Sequence, residues 1–230
     1  MKKIAILQSN YIPWKGYFDI IRSVDEFVLY DDMQYTKNDW RNRNKIKTRN
    51  GLEWLTIPVR VESLHQTIRE TKIVNPLWHK QHWKTIAQNY AKAEHFKEYK
   101  DAFEELYLGA TEVYLSEINR KFLQAINGLL GITTTIRCSS EFILAPGKSE
   151  RLLELCKTLG ATTYLSGPAA SDYLDASIFA EAGIGVEWMD YSGYPEYPQL
   201  FPPFEHGVSI VDLLFNEGKN ALNFMKRIER

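Results

Sequence analysis

Lys3 to Gln8 is a short apolar run, and after the polar stretch that follows it Tyr17, Ile20, Ile21 and Val24 recur at helical spacing. A strand, a loop and a helix are predicted in that order. Glu26 to Tyr30 repeats the strand pattern and ends on Asp31-Asp32. Lys45 to Thr48 and Leu52 to Val59 flank Arg49-Asn50-Gly51, where Asn-Gly predicts a β-hairpin closed by a type I′ turn, because that turn needs positive φ at both central residues. From Trp78 to about Leu130 the aromatics Trp83, Tyr90, Phe96, Phe103 and Tyr107 recur at helix-compatible spacing with little Gly or Pro, which predicts two or three helices. Further on come a strand at Thr133 to Cys138, a helix opening at Gly147-Lys148-Ser149 and running through Leu159, and a strand at Thr162 to Leu165. A helix at Ile178 to Ala182, a strand at Val186 to Met189 and a terminal helix at Asp212 to Ile228 complete the pattern. Strand and helix alternate at both ends of the chain. That predicts an α/β fold with a mainly parallel, Rossmann-like sheet, into which the hairpin and a helical region around 76–131 are inserted. Residues 1–230 read as one domain, since no repeat, low-complexity segment or linker divides them.

Charge and composition narrow the classes. With 28 Lys+Arg against 29 Asp+Glu the net charge is −1, which argues against a strongly cationic binder and makes nucleic acid an unfavoured partner. A 44% apolar fraction excludes disorder as the main state. The apolar run Ile4 to Leu7 is too short for a signal-peptide core, and nothing approaches the roughly 18 apolar residues of a membrane span. Cys138 and Cys156 cannot make a disulfide framework, so reduced thiols and a cytoplasmic location are expected. Six Trp in a 13% aromatic chain supply core and, in part, surfaces for stacking on sugars or bases.

Ligands of open α/β sheets bind at the carboxyl ends of the strands. Gln8-Ser9-Asn10-Tyr11, Asp31-Asp32, Tyr164-Leu165-Ser166-Gly167 and Asp190-Tyr191 are therefore expected to share one crevice. Neither a Walker lysine motif nor Gly-x-Gly-x-x-Gly follows the first strand. Phosphate contacts instead fall to the segment Tyr35 to Arg49, where six cations, among them Arg41, Arg43 and Lys45, face the single acid Asp39 with Trp40, Asn42 and Asn44 interleaved. His79 and His82 lie three apart, but nothing completes a zinc set, and no motif supplies a covalent nucleophile. Adjacent carboxylates on a strand face opposite ways, so one of Asp31 and Asp32 is expected to point into the crevice. Asp32 is the first choice for general base, ahead of His82.

Gln8-Ser9-Asn10-Tyr11-Ile12-Pro13-Trp14-Lys15-Gly16-Tyr17-Phe18-Asp19 resembles the opening signature of the WbqC-like family, with Ser9 where that pattern has Pro. Phe27 to Tyr35, Trp40 to Ile46, Trp54 to Val59, His82 to Ile86 with Tyr90, Tyr164 to Gly167 with Tyr173-Leu174, Tyr197-Pro198-Gln199 and Ser209 to Leu214 resemble its later blocks. The resemblance implies a bacterial cytoplasmic protein of O-antigen or other surface-polysaccharide synthesis. It further suggests a transferase or ligase that forms an amide on the amine of a nucleotide-linked amino sugar, with glycine or another small acyl or aminoacyl group as donor. Gln8, Asn10, Tyr11, Trp14, Gln34, Trp40, Arg41, Asn42, Arg43, Asn44, Lys45, Ser166, Gly167, Tyr173 and Gln199 would then bind nucleotide and substrate, with Asp32 and His82 catalytic. No metal ligand is named in this scheme, and any metal requirement, use of ATP and the oligomeric state stay open. A non-catalytic nucleotide-sugar or RNA-binding protein is the alternative.

Overall fold

The computed structural model describes residues 1–226. β1 (Lys3–Leu7) is followed by α1 (Lys15–Arg22) and β2 (Glu26–Leu29). β3 (Arg43–Thr48) and β4 (Gly51–Thr56) form the hairpin, and β5 (Val59–Arg60) and β6 (Lys72–Ile73) a second small antiparallel pair. Three helices then fill the insertion: α2 (Trp78–Tyr90), α3 (Phe96–Leu108) and α4 (Leu115–Leu129). β7 (Thr135–Cys138), α5 (Ser149–Thr158), β8 (Thr163–Ser166), α6 (Ala176–Glu181), β9 (Gly185–Trp188) and α7 (Ile210–Glu217) complete the chain.

β1, β2, β7, β8 and β9 make one all-parallel sheet in the order β7-β2-β1-β8-β9. Numbered by themselves these strands run 3-2-1-4-5, the doubly wound order, and the winding reverses between β1 and β8. Side-chain alternation explains how both faces are covered. Ala5, Phe27 and Leu29 join Phe18, Ile21, Ile118 and Phe122 of α1 and α4 on one face. Ile4, Ile6 and Val28 join Leu152, Cys156 and Phe179 of α5 and α6 on the other. The whole segment between β2 and β7 replaces a simple crossover helix, and α4 returns the chain to the sheet.

Two local expectations are corrected. The hairpin forms, but its central residues are Arg49 and Asn50, neither at positive φ, while Gly51 alone takes +104°. The Thr48 hydroxyl accepts from the Asn50 amide (3.1 Å) and donates to the Gly51 carbonyl (2.9 Å), which favours this two-residue turn, with Gly51 paired to Thr48, over type I′. The terminal helix stops at Glu217, because Gly218 has φ +53° and packs so closely on His95 that a Cβ would lie 2.5 Å from Nδ1. A 3-10 segment, Gly218–Phe224, follows; the end of the expected helix at Ile228 lies outside the described residues. Among the described residues no helix is long and apolar enough to cross a membrane.

α7 is tied to the rest of the fold through Asp212, which is fully buried. Its carboxylate accepts from Tyr90 Oη (2.8 Å), Tyr197 Oη (2.7 Å) and Gln199 Nε2 (2.8 Å), and the Tyr90 oxygen in turn accepts the Lys47 amide of the hairpin (3.0 Å). Burial pushes the Asp212 carboxyl above its usual range, against the pull of these donors. Replacing Asp212 by Ala strands three buried donors, and a loss of about 3 kcal/mol is expected. Urea unfolding of the variant beside the parent measures it; a loss under about 1 kcal/mol would show that the network is not holding α7 in place.

Candidate functional site

The backbone leaving β1 is pinned from several sides. Ser9 N–H donates to Asp31 Oδ1 (2.8 Å), at the end of the neighbouring strand; a proline here would have no proton to give. Tyr11 N–H donates to the Trp40 carbonyl (3.0 Å), and Asn44 Nδ2 donates to the carbonyls of Tyr11 (3.1 Å) and Ile12 (2.9 Å). Arg41 crosses to the same place. Its guanidinium donates to the side-chain oxygens of both Gln8 and Asn10. Asn119 of α4 braces the arrangement from below, donating to Ser9 Oγ and to the Arg41 carbonyl, both at 2.9 Å. Gln8, Asn10, Arg41 and Asp31 thus meet at the carboxyl end of the central strand, beside the point where the winding reverses. Gly167, after β8, lies near the Tyr191 hydroxyl, 3.9 Å from where a Cβ would stand. Ser166 is buried. Trp14 fills the space beside them, edge-on to Tyr191 (5.1 Å) and Tyr194 (5.5 Å).

A cavity of about 430 Å3 opens at the ends of β2 and β7, with Asp31, Arg69, Glu117, Arg120, Cys138 and Ser139 in its wall. Glu70 and Tyr114 also border a second cavity of about 410 Å3 that Glu62, His65, Gln66 and Lys72 help to line. Burial raises the Asp31 carboxyl above the ordinary value, opposed by the Ser9 hydrogen bonds and the Arg41 charge. Asp32 does not line the cavity, although both of its partners do. It pairs with Arg69 (3.0 Å) and accepts from Ser139 Oγ (2.5 Å), so of the two carboxylates Asp31 is the one in the cavity wall. The Cys138 thiol is pushed up by burial, with Arg120 pulling the other way. Arg69, Arg120 and Ser139 were not among the expected site residues. The signal for Ser139 was present, since Ser139-Ser140 follows the strand Thr133 to Cys138 just as Asp31-Asp32 follows the second strand. The two arginines come from the insertion, and no sequence period announces where they fold.

The cationic segment divides by strand alternation. Arg43 and Lys45 stand on the outer face of the hairpin, where the Arg43 guanidinium stacks 4.1 Å from the Trp54 ring and Lys45 Nζ lies 5.6 and 5.8 Å from the Trp54 and Trp40 rings. Asn42 and Asn44 are buried and serve the backbone, Asn42 Nδ2 donating to the Ile57 carbonyl (2.8 Å).

Other expected ligand residues are committed to the interior. Tyr11 has no exposed surface, and its hydroxyl lies 2.9 Å from His82 Nδ1 and 2.8 Å from Tyr107 Oη. His82 Nε2 is 3.2 Å from the Thr56 carbonyl, which can only accept, so Nε2 carries the proton and Nδ1 accepts from Tyr11. Burial lowers the His82 pKa to about 4. This neutral histidine packs against Tyr11 and Trp78, with both ring nitrogens engaged inside the chain. Gln199 is likewise saturated by Tyr197, Glu205 and Asp212. Gln34 is exposed and bridges Thr67, Tyr173 is 62% exposed, and Asp190 caps its own turn through Ser192.

The model of the WbqC-like protein family matches residues 8–224 of the chain. A relative from Mycobacterium tuberculosis, Uncharacterized protein Rv1507c, is 52% identical over 227 residues, which cover 98% of each chain. No solved structure matches significantly.

The His82 arrangement has a pH signature. The unfolded chain takes up a proton near the ordinary histidine value of about 6.5, whereas the folded protein resists it down to about 4. Between those values the unfolded state binds more protons, so stability is present at neutral pH and falls on acidification, by about 2 kcal/mol from this group between pH 7 and 5. Urea unfolding at the two pH values, with His82→Gln as the reference, reads the difference. An equal pH slope in parent and variant would mean that His82 takes its proton as freely folded as unfolded.

Proposed function

The chain belongs to the WbqC-like protein family, and on that premise we propose that it is a transferase or ligase forming an amide on the amine of a nucleotide-linked amino sugar. The observation that carries the reading is Arg41, held by Gln8 and Asn10 at the end of the central strand of a 3-2-1-4-5 sheet and beside the buried carboxyl of Asp31. Binding of phosphate there fits the guanidinium, which has N–H groups beyond the two used and would trade its loose pairing with Asp39 (3.7 Å) for the ligand. Two adjoining cavities suit a reaction with two substrates. The donor in this scheme is glycine or another small acyl group in activated form, and ATP is one source of the activation.

An ammonium has no lone pair, so the sugar amine must first lose a proton, and Asp31 is the acceptor in this proposal. The nitrogen then attacks the acyl carbon; the C–N bond forms, the nitrogen gives up its second proton to the departing group or to water, and the bond to the leaving group breaks with its electron pair going to that group. A carboxyl raised by burial is a stronger base than an ordinary one, and its Oδ1 is already fixed by Ser9. Asp32, paired with Arg69 and accepting a hydrogen bond from Ser139, would position those residues instead of taking the proton.

Arg41→Ala is expected to weaken binding of a UDP-linked amino sugar by about 10- to 100-fold in calorimetry, as loss of a charged hydrogen-bond donor does. Asp31→Asn is expected to slow amide formation, followed by mass spectrometry with that sugar, glycine and ATP, by about 10²–10⁴-fold with little change in sugar affinity. Unchanged affinity in the first variant would remove the phosphate anchor. Full turnover in the second would remove the base, and binding without turnover in the parent across acyl donors would favour the non-catalytic reading.

A further inference from the structure

Trp40 and Trp54 are 41% and 42% exposed, although they are the kind of side chain a fold buries first. Their ring centroids are 5.4 Å apart with the planes tilted by 39°, so the two indoles form one shallow surface on the outer face of the hairpin. Leu52, on the same face of β4 as Trp54, is also exposed at 44%. Edge protection does not account for this arrangement, because charges alone would suffice for that purpose and exposed indoles work against it.

We infer that this surface is the stacking platform for the base of a nucleotide, resting on the reading above that its phosphates are held at Arg41. Three features support that ligand class. Indole faces stack on any base, and the two rings are held in place by cations, Arg43 over Trp54 and Lys45 beside both. Arg43 is itself held, since its guanidinium donates to the Asn38 carbonyl. Trp40 immediately precedes Arg41, so the stacking surface runs by direct backbone continuity into the phosphate anchor. A neutral sugar would need the rings but not the cations. A nucleic-acid strand would need a longer cationic track than Arg41, Arg43 and Lys45 provide, on a chain of net charge −1.

Calorimetry of the full chain with UDP, ADP and inorganic pyrophosphate tests the platform. Trp54→Ala and Trp40→Ala are expected to weaken UDP and ADP roughly 10-fold, to leave pyrophosphate unchanged and to keep the parent's thermal unfolding; Trp54→Phe should retain most of the affinity. Arg41→Ala should weaken all three ligands. If both tryptophan variants bind UDP and ADP as the parent does, or if the parent binds pyrophosphate as tightly as either nucleotide, or binds neither nucleotide, the platform is overturned. Steeply salt-dependent binding of a single-stranded oligonucleotide that depends on Trp54, with UDP and ADP affinity unaffected, overturns it as well. If Arg41→Ala changes nothing while Trp54→Ala still weakens UDP and ADP, the platform stands and the phosphate anchor falls.

Discussion

Asn44 holds two successive carbonyls, those of Tyr11 and Ile12, and the rest of the site depends on that grip. The chain leaving β1 has no glycine until Gly16, yet it must turn sharply enough to place Ile12 at φ +35°. A β-branched residue in that region costs on the order of 1–3 kcal/mol and persists only where the surroundings insist on it. Here the surroundings come from distant parts of the chain: Asp31 receives the Ser9 amide, Trp40 the Tyr11 amide, and Pro13 accepts from Ile210 at the start of α7. Hairpin, second strand and terminal helix are thereby fixed relative to one turn. Arg41 lies between two of those anchors, which is why its guanidinium has a defined direction.

Three carboxylates share a similar origin and have different ends. Asp19 accepts from Arg22, Tyr194 and the Lys226 amide, and Asp212 from two tyrosines and a glutamine; both are shut inside the fold. Asp31 is also buried and also raised, but it forms part of the wall of an open cavity. Desolvation makes all three costly. For Asp19 and Asp212 the hydrogen bonds to packed neighbours explain the cost, whereas Asp31 has surface that a ligand could reach. That difference, rather than the shift itself, gives Asp31 its functional weight.

Much of the sheet was legible because a strand's period is two and its ends are marked by polar residues. Ile4, Ala5 and Ile6 had to lie in a strand buried on both faces, and the strand ends at Asp31 and Ser166 followed. The hairpin was legible but the shape of its turn was not, since the Thr48 hydroxyl competes with the Asn-Gly preference and pairing statistics do not include it. The asparagines, Gln199 and His82 show a different limit. A polar residue in a sequence announces that it needs partners, and a backbone carbonyl satisfies it as well as a ligand does. Asn44, bonded to Tyr11 and Ile12, and His82, bonded to Thr56, found theirs inside the chain. Arg69 and Arg120 were illegible for the opposite reason: their significance comes from the return of the insertion to the sheet, a long-range event without local periodicity.

The strand order also dictates a schedule. β1 pairs with β2 after about twenty residues, but its other edge waits for β8, where Ile4 meets Tyr164. At ribosomal rates of about 5–20 residues per second, roughly 160 residues take about 8–30 s. Throughout that interval an apolar parallel strand has one open edge, and β2 must likewise wait for the insertion to finish before β7 can reach it. Contacts so distant along the chain are slow to close, and unpaired edges invite the wrong neighbours. The nascent protein therefore has good reason to fold its hairpin and helices first and to keep its central strand shielded, by itself or by a chaperone, until the second half of the sheet emerges.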